Sequence, residues 1–328
     1  MNLKHYLPVL QWAPKYSRDQ ATSDLVAALI VTVMLIPQSL AYALLAGLPA
    51  QVGLYASILP LVVYAVFGTS RTLSVGPVAV VSLMTAAALA PLAEMGTPEY
   101  IAGAVLIAVM SGLMLTVMGI LRLGFLANFL SHPVISGFIT ASGIVIAASQ
   151  LKHVFGIQAS GHNLLDIGGS LLASLPETNV PTLLVGGGAL AFLLWSRQYL
   201  KPLLIRLGLA NRSADIFTKT APILAVVVTT LVAWWLNLDE KGVRLVGDVP
   251  AGLPSFTMPS LDMAIWSQLA VSALLISVVG FVESVSVGQT LAAKRRQRID
   301  PDQELIGLGT ANLGAGFSGG MPVTGGFS

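Results

Sequence analysis

The sequence has no cysteine, which excludes disulfide bridges and thiolate metal sites and leaves the redox compartment open. Charge is also scarce. Asp, Glu, Lys and Arg make up 10% of the residues against 55% hydrophobic ones, whereas soluble domains carry roughly 25% charged residues. The four histidines, His5, His132, His153 and His162, show no ligand spacing. There is no glycine-rich phosphate-binding loop to support ATP-driven pumping. Nor is there a nucleophile–base pair or metal cluster, so the chain does not read as an enzyme and no cofactor is expected. What the composition leaves is an integral membrane protein with many spans. No cleavable signal peptide is expected, because the first apolar run opens near Asp24 behind a polar leader and is too long for a signal core.

Apolar runs place the spans at Asp24 to Leu45, Val52 to Phe67, Pro77 to Leu92, Tyr100 to Leu121, Val134 to Gln150, Pro181 to Trp195, Ala221 to Leu236, Ile265 to Gln289 and Glu304 to Phe317. Residues 1–23 form a basic, aromatic leader suited to the membrane surface, and Asp24 is expected to face the dipole of the first helix. Residues 152–180 read as a connection without periodicity, and 196–220 as a basic, partly helical one. With the N-terminus in the cytoplasm, only Lys152, Lys241 and Arg244 of the 17 basic residues fall outside. Such a bias is the positive-inside signal of a multi-pass protein. The cluster Lys294, Arg295, Arg296 and Arg298 directly follows a span and reads as a cytoplasmic anchor, not a nucleic-acid site.

Two stretches interrupt apolar runs where an ordinary helix would continue: Thr72-Leu-Ser-Val-Gly-Pro-Val-Ala79 and Ser318-Gly-Gly-Met-Pro-Val-Thr-Gly-Gly-Phe-Ser328. Irregular backbone at membrane depth is tolerated only where protein buries it or where it lines a cavity. The charge bias puts the two breaks on opposite sides, the arrangement of an inverted repeat, whose broken helices mark a transporter's binding site. The third span is short, its 16 residues rising about 24 Å against a hydrocarbon core of roughly 30 Å. Pro77 is expected at the first helical position, and a tenth helix is expected to start at about Gly325. Helix starts present unpaired N–H groups and favour anions. The expected donors are Val78 and Ala79 at the first break, and Gly326, Phe327 and Ser328 at the second. Glycines such as Gly76, Gly325 and Gly326 let the backbone approach a ligand closely.

Two more groups carry chemistry. Glu283 is the only acid the sequence places deep inside a span, where a charge is costly and signals function. It is a candidate to bind a proton or, with Ser284 and Ser286, a cation. In Ile36-Pro-Gln-Ser-Leu-Ala-Tyr42, Pro37 predicts a bend, and Gln38 and Tyr42 share one helix face. They either line a polar cavity or satisfy the carbonyl that Pro37 frees. In the ninth span Gly307, Ala311, Ala315 and Gly319 recur at steps of four, a stripe that permits close helix packing.

These residues resemble the SulP sulfate permeases and related solute-carrier anion exchangers, including prestin. The resemblance rests on Ile36-Pro-Gln-Ser-Leu-Ala-Tyr-Ala43, Gly53-Leu-Tyr-Ala56 through Phe67-Gly-Thr-Ser70, and Thr72-Leu-Ser-Val-Gly-Pro77. It rests also on Ser131-His-Pro-Val-Ile-Ser-Gly-Phe138, Phe281-Val-Glu-Ser284 and Pro322-Val-Thr-Gly-Gly-Phe-Ser328. It implies an all-α polytopic membrane protein with a partial seven-plus-seven inverted-repeat transporter fold of the UraA type, its two half-helices preceded by short extended segments. Residues 24–122 (spans one to four) and 264–328 (spans eight to ten, incomplete) would form a core domain, and 131–238 (spans five to seven) a gate domain. The later spans and the STAS domain usual in the family lie outside this sequence. The resemblance puts the anion between the third and tenth helix starts beside the first span. That corresponds to Gln38, Tyr42, Gly76, Pro77, Val78, Ala79, Gly325, Gly326, Phe327 and Ser328, with Glu283 matching the family's coupling acid.

The expected function is secondary transport of an inorganic anion, sulfate first, by proton- or sodium-coupled symport or by exchange, through an elevator-like movement of core against gate. Bicarbonate and C4-dicarboxylates are the alternatives within that class. A truncated, non-transporting membrane fragment is the alternative outside it. Expected partners are the anion, the bilayer and a second copy in a homodimer, without nucleic acid. The expected location is the plasma (inner) membrane.

Overall fold

The computed structural model describes residues 6–129, 132–159, 161, 164–245, 252–294 and 298–326. The described residues form α1 (Val9–Trp12), α2 (Arg18–Leu45), α3 (Ala50–Tyr55), α4 (Leu59–Phe67), β1 (Ser74–Gly76), α5 (Ala79–Leu89), α6 (Pro98–Ile120) and α7 (His132–Phe155). They continue with α8 (Leu164–Ser174), α9 (Val180–Trp195), α10 (Lys201–Arg206), α11 (Asn211–Lys219), α12 (Ala221–Trp235), α13 (Met263–Lys294), α14 (Pro301–Phe317) and β2 (Thr324–Gly326). The fold is that of an all-α membrane protein, with one two-stranded pairing among the described residues. Five stretches of described helix are long and apolar enough to cross a bilayer: α2, α3 with α4, α6, α9 with α10, and α13. A sixth counts if α11 and α12, bent by 47° at their junction, form one span.

Side-chain caps fix four helix starts. Ser17 and Gln20 form a reciprocal capping box at α2. Thr97, Asn179 and Asp300 cap α6, α9 and α14 with side-chain oxygens, each satisfying a first-turn donor. These caps move several expected boundaries. The first helix begins at Arg18, so Asp24 lies beyond its first turn, where Asp24 Oδ2 accepts from the Tyr16 hydroxyl at 2.6 Å. The helix runs through Pro37 without interruption. The connection expected across 152–180 contains α8, which buries Ile167 and Leu171. The sixth span does not stop at Trp195 but continues through a π-turn, Ser196–Leu200, into α10.

The chain divides into two compact units. One comprises Met1–Asp24, Leu35–Gly137 and Val249–Ser328; the other comprises Leu25–Met34 and Phe138–Asp248. In the first unit α6 is the central helix, with fourteen buried residues, and α14 packs along it. Glycines make that approach close. A Cβ on Gly112 would stand 2.7 Å from the Leu313 nitrogen and 2.8 Å from the Gly309 oxygen, and one on Gly309 would collide with Thr116. The expected stripe splits between neighbours. A Cβ on Gly307 would meet Gly68 just beyond α4, whereas Ala311 and Ala315 are fully buried.

The first break corrects the sequence reading. β1 is followed by extended residues through Val78 (φ −132°, ψ 153°), so α5 starts at Ala79, not at Pro77. It ends at Leu89, with Ala90 as its cap, because a residue before a proline, here Pro91, disfavours continued helix. Its 11 residues rise about 16 Å, half a membrane. The second break is likewise extended: Gly325 and Gly326 lie in β2 and do not begin a helix. Phe327 and Ser328 lie outside the described residues.

Candidate functional site

The two breaks meet. β1 and β2 pair antiparallel, with Ser74 opposite Gly326, Val75 opposite Gly325 and Gly76 opposite Thr324. The pairing is tight because two glycines face it. A Cβ on Gly325 would run into the Leu73 side chain, and one on Gly326 would stand 2.9 Å from Val78 Cγ1. Gly76 is different, since a Cβ there would meet nothing closer than Leu35 Cδ1 at 3.7 Å.

Helix α5 leaves this pairing with its first turn uncapped by any side chain. The Val78 carbonyl is occupied, accepting from the Ser82 nitrogen at 2.9 Å and the Ser82 hydroxyl at 2.8 Å. The amides of the first turn have no acceptor one turn earlier in the helix, so Val78 and Ala79 sit at an N-terminus of the kind that attracts anions. Leu35 of α2 contacts the Gly76 position, and Gln38 and Tyr42 lie one and two turns further on the same face. There Gln38 Nε2 donates to the Tyr42 hydroxyl at 3.3 Å. A bond from Gln38 to the carbonyl freed by Pro37 is not among the hydrogen bonds of the described residues. The structure thus brings Gly76, Val78, Gly325 and Gly326 together, with Leu35 of α2 beside Gly76, while Gln38 and Tyr42 lie further along α2 and bond to each other.

Helix α13 supports the second break through a chain of hydrogen bonds. The Gly325 amide donates to Ser284 Oγ at 2.6 Å, and Thr324 Oγ1 donates to the Gly280 carbonyl at 2.6 Å. The 2.6 Å Ser284–Thr324 bond therefore uses the Ser284 proton, since the threonine has spent its own. Asn312 of α14 completes the support, accepting from the Val323 amide at 2.9 Å and donating to the Val323 carbonyl at 2.8 Å. Ser284 is thereby committed to holding β2, and Ser286 donates to the Val282 carbonyl at 2.6 Å. Glu283, next in the chain to Ser284, is partly buried, and its Oε2 is enclosed without a hydrogen-bond partner.

A second acid was missed in the sequence. Glu304 is 1% exposed, deeper than Glu283. Its carboxylate accepts from the Tyr64 hydroxyl at 2.6 Å, the Thr69 amide at 2.8 Å, the Ser70 amide at 3.1 Å and the Thr69 hydroxyl. Beside it, Gln303 Nε2 donates to the carbonyls of Phe67 at 2.7 Å and Tyr6 at 3.1 Å, and Asp302 accepts from the Gly124 amide at 2.7 Å. The start of α14 therefore grips the segment that leads into β1. The cap sequence Asp300-Pro-Asp-Gln-Glu304 was visible; its acceptors' partners, far away in the chain, were not.

Residues 22–328 match the model of the sulfate permease family. Over 324 residues the chain is 38% identical to sulfate transporter 4.1, chloroplastic, of Arabidopsis thaliana, covering 98% of this chain and 46% of that protein. A probable sulfate transporter of Mycobacterium tuberculosis is 35% identical, with 95% and 54% covered. Solute carrier family 26 member 6 of Homo sapiens is 33% identical, with 98% and 43% covered. The chain thus spans about half the length of these relatives. Among solved structures it is similar to SLC26A9, with TM-score 0.88, 27% identity, and 99% of this chain and 52% of that one covered. The transmembrane domain of the cyanobacterial bicarbonate transporter BicA shares the fold, with TM-score 0.77, 21% identity, and 95% and 76% covered.

Proposed function

Because the chain belongs to the sulfate permease family, we propose that it supplies the core of a secondary transporter of inorganic anions, sulfate first, with the paired breaks as the binding site. The observation that carries this reading is the register of β1 on β2, which sets the uncapped start of α5 against the glycine-rich second break. In this reading the amides at Val78 and Ala79, with those following Gly326, hold the anion by backbone donors and helix dipole. Gln38 and Tyr42 line its side. No buried arginine is required, which keeps the site neutral when the anion leaves.

Glu283 is the coupling acid in this proposal. Its unpartnered Oε2 supports binding of a proton or sodium ion beside the anion, where an ionised carboxylate alone would repel the substrate. Ser286 is its nearest hydroxyl in sequence with lone pairs to spare, while Ser284 acts by holding β2. The unit containing the breaks would be the element that moves in an elevator-like cycle, in the plasma membrane, with the N-terminus in the cytoplasm and a homodimer as the working form.

The test is uptake of labelled sulfate into proteoliposomes carrying the full-length protein, with bicarbonate and C4-dicarboxylates as competitors. Saturable sulfate uptake, lost in Ala79→Pro, is expected. Uptake driven equally well by Glu283→Gln at every pH and sodium concentration would remove the coupling role. Uptake of bicarbonate in preference to sulfate would exchange the substrate and leave the site.

A further inference from the structure

Beside Thr324 of β2, a small cavity of about 10 Å³ lies between α6, α13 and α14. Four polar side chains line it: Ser111, Ser277, Asn312 and Thr324. Each is at most 2% exposed. The directions of their hydrogen bonds determine what the cavity can hold.

Every side-chain proton in this set is already donated elsewhere. Ser111 Oγ donates to the Ala273 carbonyl at 3.2 Å, and Ser277 Oγ donates to the same carbonyl at 2.7 Å. Asn312 Nδ2 gives one hydrogen to the Leu308 carbonyl at 2.9 Å and the other to Val323. Thr324 donates to the Gly280 carbonyl. What remains is lone pairs: two on each serine, and one each on Asn312 Oδ1 and Thr324 Oγ1 after the bonds they accept from Val323 and Ser284. The cavity is lined by apolar carbon and by acceptors alone. An anion is excluded, and so is any ligand without a donor.

We propose that this cavity is the site of one buried water molecule, which donates to two of the four oxygens and so ties together two of the elements α6, α13, α14 and β2. The volume is that of a single water, which needs about 10–15 Å³ of such space and two to four polar partners. A sodium ion would fit the oxygens, but no carboxylate lines the cavity. Burying an unpaired charge costs several kcal/mol even after relaxation, so the neutral donor is preferred. The inference concerns the backing of the second break and stands whether or not the chain carries sulfate.

The experiment is a structure of the full-length protein in lipid nanodiscs, at a resolution that shows ordered water, in sodium and in choline buffers. One density peak within about 2.7–3.2 Å of at least two of the four oxygens, equal in both buffers, is expected. A cavity without density, or a peak that follows sodium, overturns the proposal. A second reading uses Ser111→Ala with Ser277→Ala. Alanine is the better helix former, yet the doubly substituted protein, left with two acceptors, should hold the water more weakly and melt at a lower temperature. A melting temperature equal to or above that of the parent overturns the bridging role, and the single substitutions supply the same comparison if the pair does not fold.

Discussion

Glu304 holds the segment that leads into the first break. Its two oxygens collect four donors from Tyr64, Thr69 and Ser70, and those residues lead directly into β1. Glu304→Gln keeps the shape but turns a donating amide toward donors. Each donor left unpaired in the interior costs about 1–3 kcal/mol. The expected outcome is a lower melting temperature in detergent, followed by weaker anion binding as β1 loosens; an unchanged melting temperature would show that the cradle is dispensable. Glu283→Gln should do the reverse. Its Oε2 has no partner to lose, so stability should hold while the response of uptake to protons or sodium is lost.

Among the elements, the α6–α14 contact and the strand pairing are set by glycine. Gly112→Ala places a methyl against the backbone of α14, and overpacking of this kind costs about 1–3 kcal/mol. Thermal unfolding should register it, whereas Gly187→Ala, where a Cβ meets nothing within 4 Å, should melt like the parent. The loop-side helices offer a pH-dependent counterpart. Asp215 is held below its ordinary value of 3.8 by hydrogen bonds from Lys219 and Lys201, at 2.8 and 3.0 Å. Because the folded-state value is depressed, this contribution is present above the ordinary aspartate range and is lost as pH falls through the folded value. The carboxylate is 41% exposed, so the effect is small and screened by salt. Amide exchange in α10 and α11 should quicken only at strongly acid pH, and Asp215→Asn should abolish that dependence.

For the whole molecule, the sequence shows the breaks plainly, because Gly76-Pro77 and Gly325-Gly326 interrupt runs that are otherwise apolar. It shows their pairing only through charge bias, and it misplaces the start of α5 because Ser74–Gly76 are drawn into a strand and the chain is still extended at Val78. Glu304 was read as the edge of a span, since the donors that bury it come from more than two hundred residues earlier. Orientation in the membrane rests on charge bias, and the absence of cysteine makes it simple to measure. In intact cells Arg244→Cys should react with an impermeant maleimide, while Arg206→Cys should react only after permeabilisation. The opposite pattern would invert the topology.

The pairing of Ser74 with Gly326 also sets a schedule for biogenesis. The two strands are separated by about three quarters of the sequence, so β1 is made long before β2. At about 5–20 residues per second, the ribosome needs roughly ten to fifty seconds to reach the partner. Through that interval the edge of β1 stands unpaired in a medium that offers no water to satisfy it. Half-helix α5 is therefore made well before the strand that pairs with the segment leading into it, and the pairing of the two breaks cannot form until residue 326 has been synthesised.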